Sequence, residues 1–163
     1  MSRWILVSGM LAWSAVAAGQ SASAAATPAI QSATPDPFAT LREEWARNLH
    51  NKRIDASVAE YAEDADFLDP GANNTHGTAA IRKLFETVTA TFDSDLTFHS
   101  SRVENSGDLA YDSGSYHVTL TVRATGKQQK ISGNYLTIYR RSKNGAWLIV
   151  EQMWTMAANT PAQ

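Results

Sequence analysis

Residues 107–154 read GDLAYDSGSYHVTLTVRATGKQQKISGNYLTIYRRSKNGAWLIVEQMW. Apolar and polar side chains alternate here with a period of two, the spacing of a β-strand. The alternation sets in at Asp95 and predicts strands over 95–104, 109–123, 128–142 and 146–157. Asn105-Ser106-Gly107-Asp108, Thr125-Gly126 and Lys143-Asn144-Gly145 separate them, each with the glycine of a hairpin turn. The stretch is therefore an antiparallel meander.

Both faces of that meander carry large apolar groups. On 109–123, Tyr111, Ser113, Ser115 and His117 share one face, and Tyr116, Val118, Leu120 and Val122 the other. On 128–142, Tyr135, Thr137 and Tyr139 oppose Leu136 and Ile138. On 146–157, Leu148, Val150, Gln152 and Trp154 oppose Trp147, Ile149 and Met153. A sheet with one solvated face does not read this way. One face is expected to meet helices and the other a second subunit, with Tyr116, Val118 and Leu120 projecting from the subunit side.

Upstream, the period is helical. Asp36-Pro37 is an N-cap candidate followed by proline at the first helical position, and Phe38, Leu41, Trp45 and Leu49 form one apolar stripe ending near Asn51. A short helix is expected over Asp55–Ala62, a strand over Ala65–Asp69 stopped by Pro70-Gly71, and a third helix over about Thr78–Phe92. Helices followed by a run of strands define an α+β domain, three helices packed on a curved antiparallel sheet, over residues 36–157 with a tail at 158–163.

The chain has 163 residues, 44% of them hydrophobic, which suits one domain with its own core. Its formal charge of −2 gives a nucleic-acid partner no electrostatic support. The absence of cysteine excludes disulfides, thiolate catalysis and cysteine-ligated zinc. Between Arg3 and Asp36 no residue is charged. Trp4–Gly19 is an apolar run, short of the ~20 residues a membrane span needs, and Ala22-Ser23-Ala24 is a small-x-small cleavage site. Residues 1–24 are thus expected to be a signal peptide and 25–35 a flexible linker, leaving a periplasmic or secreted domain with no membrane attachment after cleavage.

Tyr61-Ala62-Glu63-Asp64-Ala65, Phe67, Asp69-Pro70, Gly77 and Ile81 resemble the first half of ketosteroid isomerases. Gly107-Asp108-Leu109-Ala110-Tyr111, Gly114, Gly133-Asn134-Tyr135 and Asn144-Gly145-Ala146-Trp147 resemble the SnoaL-like, ketosteroid-isomerase-homologue branch of the nuclear transport factor 2-like superfamily. The resemblance implies a cone-shaped, cystatin-like fold with a pocket between helices and sheet, and a homodimer formed through the sheet. It also implies that Asp69 occupies the general-base position. The tyrosine and protonated aspartic acid that form the isomerases' oxyanion hole do not carry over: their positions fall near Arg47 and Thr137, and a supporting tyrosine near Phe85.

Asp69 is accordingly the catalytic candidate, and an Asp-Pro turn that ends a strand is its structural alternative. Trp45, Tyr61, Phe67, Phe85, Tyr135 and Trp154 are candidate ligand-binding residues or simply core. His99 and His117 lie on neighbouring strands and are candidate pocket-wall groups. No metal-ligand spacing is present, and no cofactor motif. Two readings follow. One is a domain that binds a small apolar or carbonyl-bearing molecule and acts as a cofactor-free isomerase, cyclase or lyase through Asp69. The other is a non-catalytic ligand-binding or dimeric assembly domain.

Overall fold

The computed structural model describes residues 36, 38–71 and 74–157. The segments expected to be signal peptide, linker and tail, together with Pro37, Ala72 and Asn73, lie outside the described residues. The element order is α1 (Ala39–His50), α2 (Ile54–Val58), β1 (Tyr61–Leu68), β2 (Thr75–His76), α3 (Thr78–Thr91), β3 (Phe92–Ser106), β4 (Leu109–Val122), β5 (Gln128–Arg141) and β6 (Trp147–Met156). The strands form one six-stranded sheet in the order β2-β1-β6-β5-β4-β3. It is mixed: β1 runs parallel to β6, and every other pair is antiparallel.

Asp36 is not the N-cap expected: α1 starts at Ala39 with Phe38 at the cap position, and the Asp36 Oδ1 instead accepts the Phe38 N–H at 2.9 Å ahead of the helix. Phe38 is fully buried, stacked on Tyr139 at 4.6 Å and edge-on to Trp147 at 5.3 Å. Burying such a ring contributes about 1.5–3 kcal/mol. Trp45 and Leu49 continue the stripe of α1 into the core, and α3 adds Ile81 and Phe85. Ahead of α3, Gly77 takes a left-handed φ of 80° while its N–H bonds the Ala65 carbonyl at 2.8 Å. That geometry suits glycine because a Cβ strains it.

Three expectations are corrected. The second helix stops at Val58 and the strand after it starts at Tyr61 rather than Ala65. The Ile149 N–H donates to the Glu60 carbonyl at 2.8 Å and Tyr61 pairs with Ile149, so pairing with β6 recruits these residues into the sheet. Next, β6 contains a bulge: Tyr139 pairs with Ile149 but Ile138 with Glu151, leaving Val150 extra. The extra residue reverses the alternation, so Trp147 and Ile149 join Gln152 and Trp154 on the helix-covered face. Finally, Tyr116, Val118 and Leu120 also lie on the helix-covered face, not on a subunit face. Alternation assigns residues to shared faces but not faces to neighbours.

Candidate functional site

The helices leave part of the sheet uncovered from within, and a cavity of about 320 Å3 remains. Trp45 and Leu49 of α1 and Leu84, Phe85 and Val88 of α3 form one side. Tyr116, Val118 and Leu120 of β4, Ile131 of β5 and Trp154 of β6 form the other. Phe67, Asp69 and Pro70 close the end where β1 leaves the sheet. The lining is mainly apolar, and its few polar groups include the Asp69 carboxylate, Ser94 and the Tyr116 hydroxyl. The volume lies at the low end of the roughly 300–1,000 Å3 typical of ligand pockets.

Asp69 sits on the rim, exposed on its outer side and enclosed on the other. Partial burial raises its carboxyl above the usual range, because desolvation penalises the charged form. No described residue donates a hydrogen bond to it. Tyr116 lies deeper, 3% exposed, its ring edge-on to Trp154 at 4.5 Å. Burial and then the charge of Asp69 push its phenol up, so it stays a proton-bearing hydroxyl around neutral pH.

Among the candidates, Trp45, Phe67, Phe85 and Trp154 lie on the cavity wall beside Asp69. Tyr61 and Tyr135 do not. Tyr61 donates to Gln152, whose Nε2 donates to Thr137 Oγ1 at 3.4 Å. Tyr135 donates to Asp112 at 3.0 Å. His99 and His117 are a second correction. They are exposed on the face away from the helices, where His99 pairs with Ser115 and His117 with Ser132. Their strands do carry pocket residues, but the pleat turns odd-numbered β4 positions outward.

The positions expected to lack an oxyanion partner lack one in space as well. Arg47 is exposed, Thr137 is buried and held by Gln152, and Phe85 is a wall residue. The sequence reading missed Tyr116 as a cavity group by placing it on the wrong face. The turn residues did not mark the right partner: the loop spans residues 123–126 rather than Thr125-Gly126 alone, so Val122 meets Lys127 and Tyr116 pairs with Gly133.

A second polar cluster lies between α1 and the sheet. Asp112 is fully buried and accepts from Arg42, from Ser100 Oγ at 2.6 Å and from Tyr135. Arg42 also bonds Asp36 at 2.7 Å. Burial opposes the Arg42 charge, but Asp36 and Asp112 outweigh it and raise its pKa. Asp112 is fully buried among these partners and so serves structure, while Arg42 also lines an open surface groove of about 500 Å3. Among the described residues, no group of three His, Cys, Asp or Glu side chains is placed to hold a metal.

A helix-lined apolar cavity over a bent sheet, entered past one aspartate, defines an α+β domain of the nuclear transport factor 2-like class. The chain belongs to the SnoaL-like domain family, whose model matches residues 43–151. Similar solved structures include a ketosteroid isomerase-like protein from Erwinia carotovora atroseptica, 21% identical with a TM-score of 0.67, covering 73% of this chain and 92% of that one. A nuclear transport factor 2-like superfamily protein from Salmonella enterica is 16% identical with a TM-score of 0.66, covering 74% and 89%. A protein of the same class with a cystatin-like fold, from Novosphingobium aromaticivorans, is 18% identical with a TM-score of 0.63, covering 75% and 80%. At these identities the likeness is one of fold. No curated protein matches the chain.

Proposed function

We propose that this protein is an exported domain that binds a small, largely apolar carbonyl compound and moves a proton on it, with Asp69 as general base and no cofactor. The observation that carries the reading is a partly desolvated carboxylate, free of hydrogen bonds from described residues, at the edge of an apolar cavity. Such a carboxylate is a stronger base than one in water and has no competing donor to satisfy. It takes a proton from the carbon beside the carbonyl and returns it to the same or a conjugated carbon. Substrate and product then have the same oxidation state, so isomerase, cyclase and lyase outcomes all begin with this step.

Hydrogen–deuterium exchange tests this without knowledge of the natural substrate. A panel of small cyclic ketones is incubated with the protein in D2O, and label at the α-carbon is read by NMR. Wild type is expected to accelerate exchange, and Asp69→Asn to lose about a hundredfold to ten-thousandfold of that rate with its melting temperature unchanged. Full exchange by the Asn variant overturns the reading.

One observation favours the second reading, ligand binding without chemistry: Asp69 stands on the solvent side of the rim rather than on the cavity floor. On that reading wild type gives no exchange, while apolar ligands bind wild type and Asp69→Asn equally.

A further inference from the structure

The Tyr116 ring lies across the strand from Gly133 and is held in place from two sides. A Cβ added at Gly133 would stand 3.0 Å from Tyr116 Cε1 and would run into the Thr155 carbonyl oxygen. The phenol therefore occupies the space that any other residue at 133 would fill. Trp154 packs edge-on against it from β6. Both contacts fix the ring by packing, not by its oxygen, and the hydroxyl makes no hydrogen bond to another described residue. It is not a sealed orphan either. Among the described residues, three buried side-chain polar atoms have no partner, Trp45 Nε1, Ser57 Oγ and Trp154 Nε1, and Tyr116 Oη is not among them. An unpartnered hydroxyl on a 3% exposed side chain thus opens onto the apolar cavity near the only carboxylate of its described lining.

We propose that Tyr116 donates the hydrogen bond that holds the substrate's carbonyl oxygen while Asp69 removes a proton from the neighbouring carbon. The assignment rests on the reading of Asp69 as base and specifies what that reading leaves open. In the step, Asp69 takes the proton and the C–H electron pair becomes the new carbon–carbon π bond. The carbonyl π pair moves onto oxygen as an enolate, which Tyr116 O–H stabilises by a hydrogen bond without giving up its proton. The raised phenol pKa suits this role, since the donor stays protonated throughout. Reprotonation of carbon by Asp69 restores the carbonyl, so atoms and charge balance with no added reactant. The substrate class becomes a compact ketone or aldehyde with an acidic α-hydrogen. Its apolar body lies towards Leu84, Val88, Leu120 and Ile131.

The test uses 2-tetralone labelled with 13C at its carbonyl, bound to the purified protein and read by difference infrared spectroscopy. The carbonyl band is expected at lower frequency in wild type than in hydrocarbon solvent. Tyr116→Phe keeps the ring over Gly133 and is expected to lose that displacement. The same substitution should slow α-deuterium exchange about a hundredfold to a thousandfold, the usual effect of removing one oxyanion donor. An undisplaced band in wild type, or failure to bind 2-tetralone, overturns the proposal even if the Phe variant does not fold. An equal displacement and equal exchange rate in Tyr116→Phe also overturn it, and leave the Asp69 reading standing if Asp69→Asn is inactive. If instead Asp69→Asn exchanges at the wild-type rate, the base assignment fails and this proposal with it.

Discussion

Glu60 is the side chain whose protonation the fold disturbs within the physiological range. It lies between α2 and β1 and accepts a hydrogen bond from Asn48 Nδ2 at 3.2 Å. Burial pushes its carboxyl up to about 7, only partly offset by Asn48, and the nearby Glu44 charge adds to the rise. A carboxyl with a raised folded pKa binds its proton more tightly in the native state, so stability falls as pH climbs from about 4.5 towards 7. Glu60→Gln keeps the acceptor for Asn48 and removes the charge. It should match wild type at about pH 4 and exceed it by about 1–2 kcal/mol at about pH 8, after allowance for partial solvent access. Urea unfolding at both values measures this. At this scale the sequence was legible for the place of Asp69 at the cavity, because a motif frame marks it. It was silent on Glu60 and misplaced Tyr116, because the surroundings of both depend on which neighbours exclude water.

Between elements, the buried charge pair is the strongest tie. Arg42 reaches from α1 to Asp112 of β4, and Tyr135 and Ser100 complete the aspartate's hydrogen bonds from β5 and β3. Removing one partner leaves the other as an uncompensated buried charge. Asp112→Ala should therefore cost about 3–5 kcal/mol in denaturant unfolding, near the lower figure because Asp36 still faces Arg42. Combining Arg42→Met with Asp112→Leu should recover most of the loss, since apolar groups of similar volume need no partner. None of this was readable from sequence. Asp112 stands among Tyr111, Ser113 and Ser115 as an ordinary polar strand residue, and only the arrival of Arg42 explains its burial. The four long strands were readable, because their period and turn glycines are local properties. The Val150 bulge was not: no residue in Leu148-Ile149-Val150-Glu151 marks it, and the pairing of Tyr139 with Ile149 is what reveals it.

For the whole molecule, the sheet face away from the helices is the surface on which we propose assembly. Tyr111 and Ile138 pair there, as do Leu136 and Met153, and Leu109 is 51% exposed beside them. The homodimer through the sheet is proposed on these residues rather than on Tyr116, Val118 and Leu120, which line the cavity. Leu136→Glu with Ile138→Glu should convert a dimer into monomers in sedimentation, with the helix-side core untouched. A wild type that sediments as a monomer at tens of micromolar (roughly the range of a weak interface) rejects the interface.

The parallel pairing of β1 with β6 has a consequence for when the fold can exist at all. Tyr61 waits for Ile149, and Leu68 for Met153, across roughly 85 residues of intervening chain, a long loop to close. Phe38 likewise needs Trp147. Without β6, β1 keeps only the two-residue β2 beside it and has no strand that joins it to β5, β4 and β3. Loss of β6 would therefore release the first strand from the sheet as well as the last.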